Sequence, residues 1–92
     1  MATFGIPNFD TMDNKELMSF WSKYHRGPRK AAEELIGDRR PGFTNIASAL
    51  ANYACNKAVA LTCRAKGDIS GAEVYEGAME RIYNDLPEDI RW

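Results

Sequence analysis

A chain of 92 residues with 12 Lys and Arg against 13 Asp and Glu makes one domain, and its balanced charge excludes a global field that would draw it onto nucleic acid or a membrane. Folding at this size buries roughly 60 to 65 percent of the surface that the unfolded chain exposes, so stability is marginal unless helices pack closely or a partner helps. Of the residues, 45% are hydrophobic, and many of these are alanine, which suits close helix packing.

The opening "MATFGIPNFDTM", residues 1–12, sets Phe4, Ile6 and Phe9 among Gly5, Pro7 and Asn8 without a period. It reads as an extended arm whose aromatics either tuck onto the domain's own core or reach a second subunit or partner. A helix over 13–26 follows: Asp13 caps it, Glu16 completes a capping box, and Met12 and Leu17 stand as a hydrophobic staple. Leu17, Phe20, Trp21 and Tyr24 make one apolar face, and Gly27 and Pro28 end the helix. Pro28 then opens a short helix over 28–36 that turns Ala32, Leu35 and Ile36 inward and stops at Gly37.

"GDRRPGF" is a loop, after which Thr44 is placed to cap the longest helix, 45–66, about 33 Å long at ~1.5 Å per residue. Ile46, Leu50, Ala54, Ala58, Leu61 and Ala65 mark one stripe, yet Ala47, Ala49, Ala51, Val59, Ala60 and Cys63 make other faces apolar too. Such a helix belongs at the centre of the domain. Gly67 ends it in the left-handed conformation, and Ser70 with Glu73 is expected to form a second capping box, stapled by Ile69 and Val74. The last helix, over 71–86, turns Ala72, Tyr75, Met79, Ile82 and Leu86 inward before Pro87. So short a turn makes the two long helices antiparallel neighbours. Gly77 costs about 1 kcal/mol relative to alanine in mid-helix, which implies a close contact with the alanine-rich helix or with another chain. The expected fold is all-α: a small four-helix domain in which the first two helices pack across a long antiparallel hairpin.

The stretch "KGDISGAEVYEGA" resembles the second half of a tetratricopeptide repeat or of microtubule-interacting and trafficking hairpins, through Gly67, Asp68, Ala72 and Tyr75. Glu76 and Asn56 stand where that pattern carries aromatics, and the chain holds one copy, so convergence on hairpin geometry is the reading. The C-terminal half, in "ANYACNKA", "CRAKGDISGAEVYE" and "RIYNDLPEDIRW", is similar to the ends of small uncharacterised proteins of tailed bacteriophages. That resemblance implies a viral accessory protein, either a host-takeover factor or a small virion component.

Residues that could carry chemistry are few. His25 is the sole histidine and lies at a helix end, where a capping role or contact with an anionic partner suits it. Cys55 and Cys63, eight residues apart on one helix, have alpha carbons about 12 Å apart, too far to bridge, and read as packing residues. Free thiols without a basic-then-apolar leader point to a cytoplasmic compartment, which the phage resemblance implies is that of a producing or infected bacterial cell. Asn52 and Asn56, one turn apart, could join facing helices, set an oligomer register or bind a ligand. Glu73, Glu76 and Glu80 lack the Glu-x-x-His pattern of a di-metal bundle and read as a solvated face. No cofactor motif is present, and neither cofactor nor metal is expected.

Two surfaces stand out for partners. Ala49, Asn52, Asn56, Cys63, Gly77 and Trp92 form the expected seam of a homodimer. Lys23, His25, Arg26, Arg29, Lys30, Arg39 and Arg40 form a candidate patch for an anionic partner, interleaved with Trp21, Tyr24 and Phe43. The expected function is that of a non-enzymatic protein-binding module; the alternative is a small nucleic-acid-binding protein using the basic segment 23–40.

Overall fold

The computed structural model describes residues 6–27 and 43–92; the helix expected over 28–36 and the basic residues Arg29, Lys30, Arg39 and Arg40 lie outside the described residues. Within them the chain is helical: a 3-10 turn at Phe9–Thr11, then α1 (Asn14–Tyr24), α2 (Phe43–Ala65) and α3 (Ile69–Asp85). The described part of the expected arm is therefore not extended throughout. Asn8 closes its turn by accepting a hydrogen bond from the Asp10 amide at 2.9 Å, and this drives Phe9 inward to full burial.

Helix α1 begins as its sequence demands. The Asp13 carboxylate accepts from the Glu16 amide at 2.9 Å, and Glu16 accepts from the Asp13 amide at 3.2 Å, so two orphan donors are satisfied reciprocally. Leu17, Phe20 and Tyr24 are its buried face, with Met12 packed beside them. The helix runs antiparallel to α2: Asn14 Nδ2 donates to Thr62 Oγ1 at 3.1 Å at one end, while Phe20 meets the Phe9–Tyr53 aromatic group nearer the other. Because α1 begins level with Thr62, α2 outruns its cover. Ala65, expected on the inner stripe, lies beyond that cover and is exposed, and Leu61, expected there too, is 39% exposed.

Helix α2 is central, with α1 on one side and α3 on another. Small residues permit this close approach: Ala47, Ala51, Ala54, Ala58 and Ala60 are buried beside Leu50 and Tyr53. The helix starts at Phe43, so Thr44 is a first-turn residue rather than the cap. Its end is a Schellman motif, in which the Asp68 amide donates to the Cys63 carbonyl at 2.8 Å and the Gly67 amide to Arg64 at 3.1 Å. Gly67 takes φ +80°, the left-handed region where an L side chain is strained.

Asp68 ends one helix and starts the next. Its carboxylate accepts from the Gly71 amide at 3.0 Å, making Asp68 the cap of α3 in place of the expected Ser70–Glu73 box. The turn at Gly67 leads straight into Asp68, whose backbone leaves the helical region at φ −85° and ψ 81° and so takes the cap position before Ser70 can. The earlier residue captures the free amide, α3 starts at Ile69, and Ser70 falls inside the first turn. Ile69 and Val74 are consequently exposed, at 47% and 67%, instead of forming a staple.

The chain closes on itself after α3. Arg91 donates from Nη2 to the Asn84 carbonyl at 2.8 Å and from Nε to Leu86 at 3.1 Å, satisfying carbonyls that the helix end leaves open. This return buries Ile90 fully and brings Trp92 against Phe9, Tyr53 and Tyr83.

Candidate functional site: two grooves beside the central helix

The first groove lies where the 3-10 turn, α2, α3 and the returning tail meet. Three aromatic rings, Tyr53, Tyr83 and Trp92, build its base over the buried Phe9: Trp92 sits edge-on to Phe9, Tyr53 and Tyr83, with centroids 4.8, 4.7 and 4.8 Å away, a geometry that aligns ring edges with ring faces. The Tyr83 hydroxyl donates to the Trp92 backbone oxygen at 2.7 Å, which fixes the tail in place. The resulting hollow, about 320 Å³, is lined by Asp10, Tyr53, Glu76, Met79, Glu80, Tyr83 and Trp92.

Charge is arranged around that base unevenly. Arg64 holds Glu76 with a two-pronged contact, its Nη2 donating to Oε1 at 2.7 Å, and the hydrogen bonds from the guanidinium hold the Glu76 carboxyl below its ordinary range and push Arg64 upward. Lys57 donates to the Phe9 carbonyl at 2.5 Å and leaves Asp10 at a looser 3.9 Å. Glu80 is exposed and has no ion-pair partner among the described residues. Tyr53 is 7% exposed; burial first, then the negative charge of Asp10 and the neighbouring Tyr83, push its hydroxyl upward from the usual phenol value. Glu76 and Glu80, expected as part of a solvated face, thus belong to the wall of a groove. The spacing of Glu76, Met79, Glu80 and Tyr83 along one side of α3 is the sequence signal for it; the tail and the 3-10 turn that complete it are remote in sequence.

The second groove, about 340 Å³, runs between α1 and α2 and is lined by Asn14, Met18, Ala58, Val59, Thr62, Cys63, Lys66 and Asp68. Met18 is 38% exposed at its edge.

The expected dimer seam draws on three parts of the fold: α2, α3 at Gly77 and the returning tail at Trp92. Ala49, Asn52, Asn56 and Cys63 do lie along one side of α2, Asn52 exposed and the other three half-buried. Asn56 Nδ2 donates to the Asn52 backbone carbonyl at 2.8 Å, one turn back along its own helix, and among the described residues neither side chain bonds to a facing helix. Among the described residues Gly77 is not a close approach, since a Cβ there would meet only the tip of Arg81, at 3.8 Å. Trp92 is occupied by its own core. Cys55 and Cys63 are free, as their spacing requires.

Of the basic patch, Lys23, His25 and Arg26 are described. Lys23 Nζ lies 5.2 Å from the centre of the Tyr24 ring. His25 stacks on Trp21, centroids 3.9 Å apart, donates from Nδ1 to the Trp21 carbonyl at 2.8 Å, and accepts at Nε2 from Arg26 at 3.1 Å. Those two contacts fit the neutral ring with its proton on Nδ1. The histidine therefore serves the end of α1.

Among the described residues no three of His, Cys, Asp or Glu come together as a metal-binding group, and no helix is long and apolar enough to cross a membrane. Comparison with protein-family models, with curated proteins and with solved structures finds no match.

Proposed function

We propose that this chain is a non-enzymatic protein-binding module, acting by protein–protein contact as a phage-type accessory protein, either a host-takeover factor or a small virion component. The observation that carries the reading is the placement of large apolar side chains in solvent. Val74 is 67% exposed and Ile69 47%, both on the first turns of α3. Leu61, Met18 and Tyr75 follow at 39%, 38% and 37%. Scattered exposed hydrophobics are ordinary, but two β-branched residues held outward by the Asp68 cap leave apolar area that a partner would cover. Self-association, as a homodimer, would use the open side of α2 at Ala49, Asn52, Asn56 and Cys63.

Capture from the producing or infected cell with the wild-type chain and with Val74→Asp tests the reading. The wild type is expected to retain a protein that the variant loses. Turnover abolished by changing Cys63 or His25, or nucleic-acid binding that falls steeply with salt, would overturn it.

A further inference from the structure

We propose that the acidic–aromatic groove between α2, α3 and the returning tail is a receptor for an arginine side chain on an extended segment of a partner protein. The inference rests on the binding-module reading and names the chemistry of what is bound. Its independent support is Tyr53: the residue is 7% exposed and lines the groove, yet among the described residues its hydroxyl has no hydrogen-bond partner, while no buried polar side-chain atom of those residues is left sealed and unsatisfied. The hydroxyl therefore meets the groove, beside Asp10 and Tyr83, whose influence it feels.

Charge and shape select the occupant. Glu76 is taken by Arg64, but Asp10 is only loosely matched by Lys57 at 3.9 Å with its side chain 70% exposed, and Glu80 is unmatched. Two acceptor carboxylates thus flank an aromatic base without a full complement of cations. A guanidinium satisfies both demands at once, since its edge donates to carboxylate and hydroxyl oxygens while its plane stacks on aromatic rings. The Tyr83 ring already takes a guanidinium outside the groove, where Arg91 lies 5.6 Å from the ring centre. A volume of about 320 Å³ suits one side chain rather than a docked helix.

The probe is the acetylated, amidated tripeptide Gly-Arg-Gly, with its citrulline counterpart as the uncharged isostere, titrated into the full chain and followed by the nuclear magnetic resonance of the Trp92 indole. The expected result is a saturable shift with the arginine peptide and a much weaker one with citrulline. The double variant Asp10→Asn, Glu80→Gln should weaken binding about tenfold or more, through loss of two charge-assisted contacts. Both positions are exposed, and unchanged circular dichroism verifies the fold. Tyr53→Phe, which keeps the ring, should also weaken binding. Equal shifts with arginine and citrulline, no shift up to millimolar peptide, or full affinity in the double variant would each overturn the assignment. Self-association competed away by the peptide would put a second copy in the groove and overturn the foreign partner. A protein captured equally by wild type and double variant would refute the groove alone and leave the binding-module reading standing.

Discussion

Phe9 shows how much one residue decides. It is fully buried, with ring centroids 4.9 Å from Phe20, 5.5 Å from Tyr53 and 4.8 Å from Trp92, so it joins the N-terminal turn, α1, α2 and the tail. Nothing in "PNFDTM" announces this, because a single aromatic among turn residues has no period from which burial can be read. Phe9→Ala is expected to cost about 3–5 kcal/mol, from lost transfer energy and the cavity left behind. Against a total of about 5–15 kcal/mol that is a large share. Urea unfolding followed by circular dichroism should show the midpoint falling sharply; a change below about 1 kcal/mol would mean that the aromatic group collapses to fill the space.

At the scale of an element, the informative junction is Lys66 to Gly71. The turn, its left-handed glycine and the antiparallel pairing of the hairpin were all legible, because Gly67 and the switch from one helical period to the next are local signals. The cap was not, since both Asp68 and Ser70 are good caps and Ser70 is followed three residues later by Glu73. The Gly67 turn decides between them, because it leads straight into Asp68 and α3 starts at the next residue. Asp68→Ala should therefore cost about 1 kcal/mol, whereas Ser70→Ala, at a position inside the helix, should be neutral or stabilising by up to about 0.5 kcal/mol. Equal losses would restore Ser70 as a cap. The same junction sets the surface, because starting α3 at Ile69 rotates Ile69 and Val74 outward.

For the whole molecule the central question is what covers α2 beyond α1 and α3. Gly77 is the sharpest test of a second chain at the hairpin. With only the end of Arg81 near its missing Cβ among the described residues, Gly77→Ala is expected to raise stability by about 0.8–1 kcal/mol, the ordinary helix-propensity gain. Thermal unfolding measures this, and sedimentation of the same variant reports the assembly. A loss of stability, with a lighter sedimenting species, would place another chain against Gly77 and return it to the dimer seam.

By itself the sequence determined an all-helical chain, the start of α1, the end of α2 and the antiparallel hairpin, because caps, glycine turns and helical periodicity act over a few residues. Only the tertiary structure decided where the termini go and what they build. Trp92 and Phe9 lie 83 positions apart yet share one aromatic group, and the carboxylates of Asp10 and Glu80 face one hollow although they belong to different ends of the chain. Contacts of that range leave no period and no fixed spacing in a sequence. They follow from the tail's return after Pro87 and from the small side chains of α2, which let three layers close on a single helix.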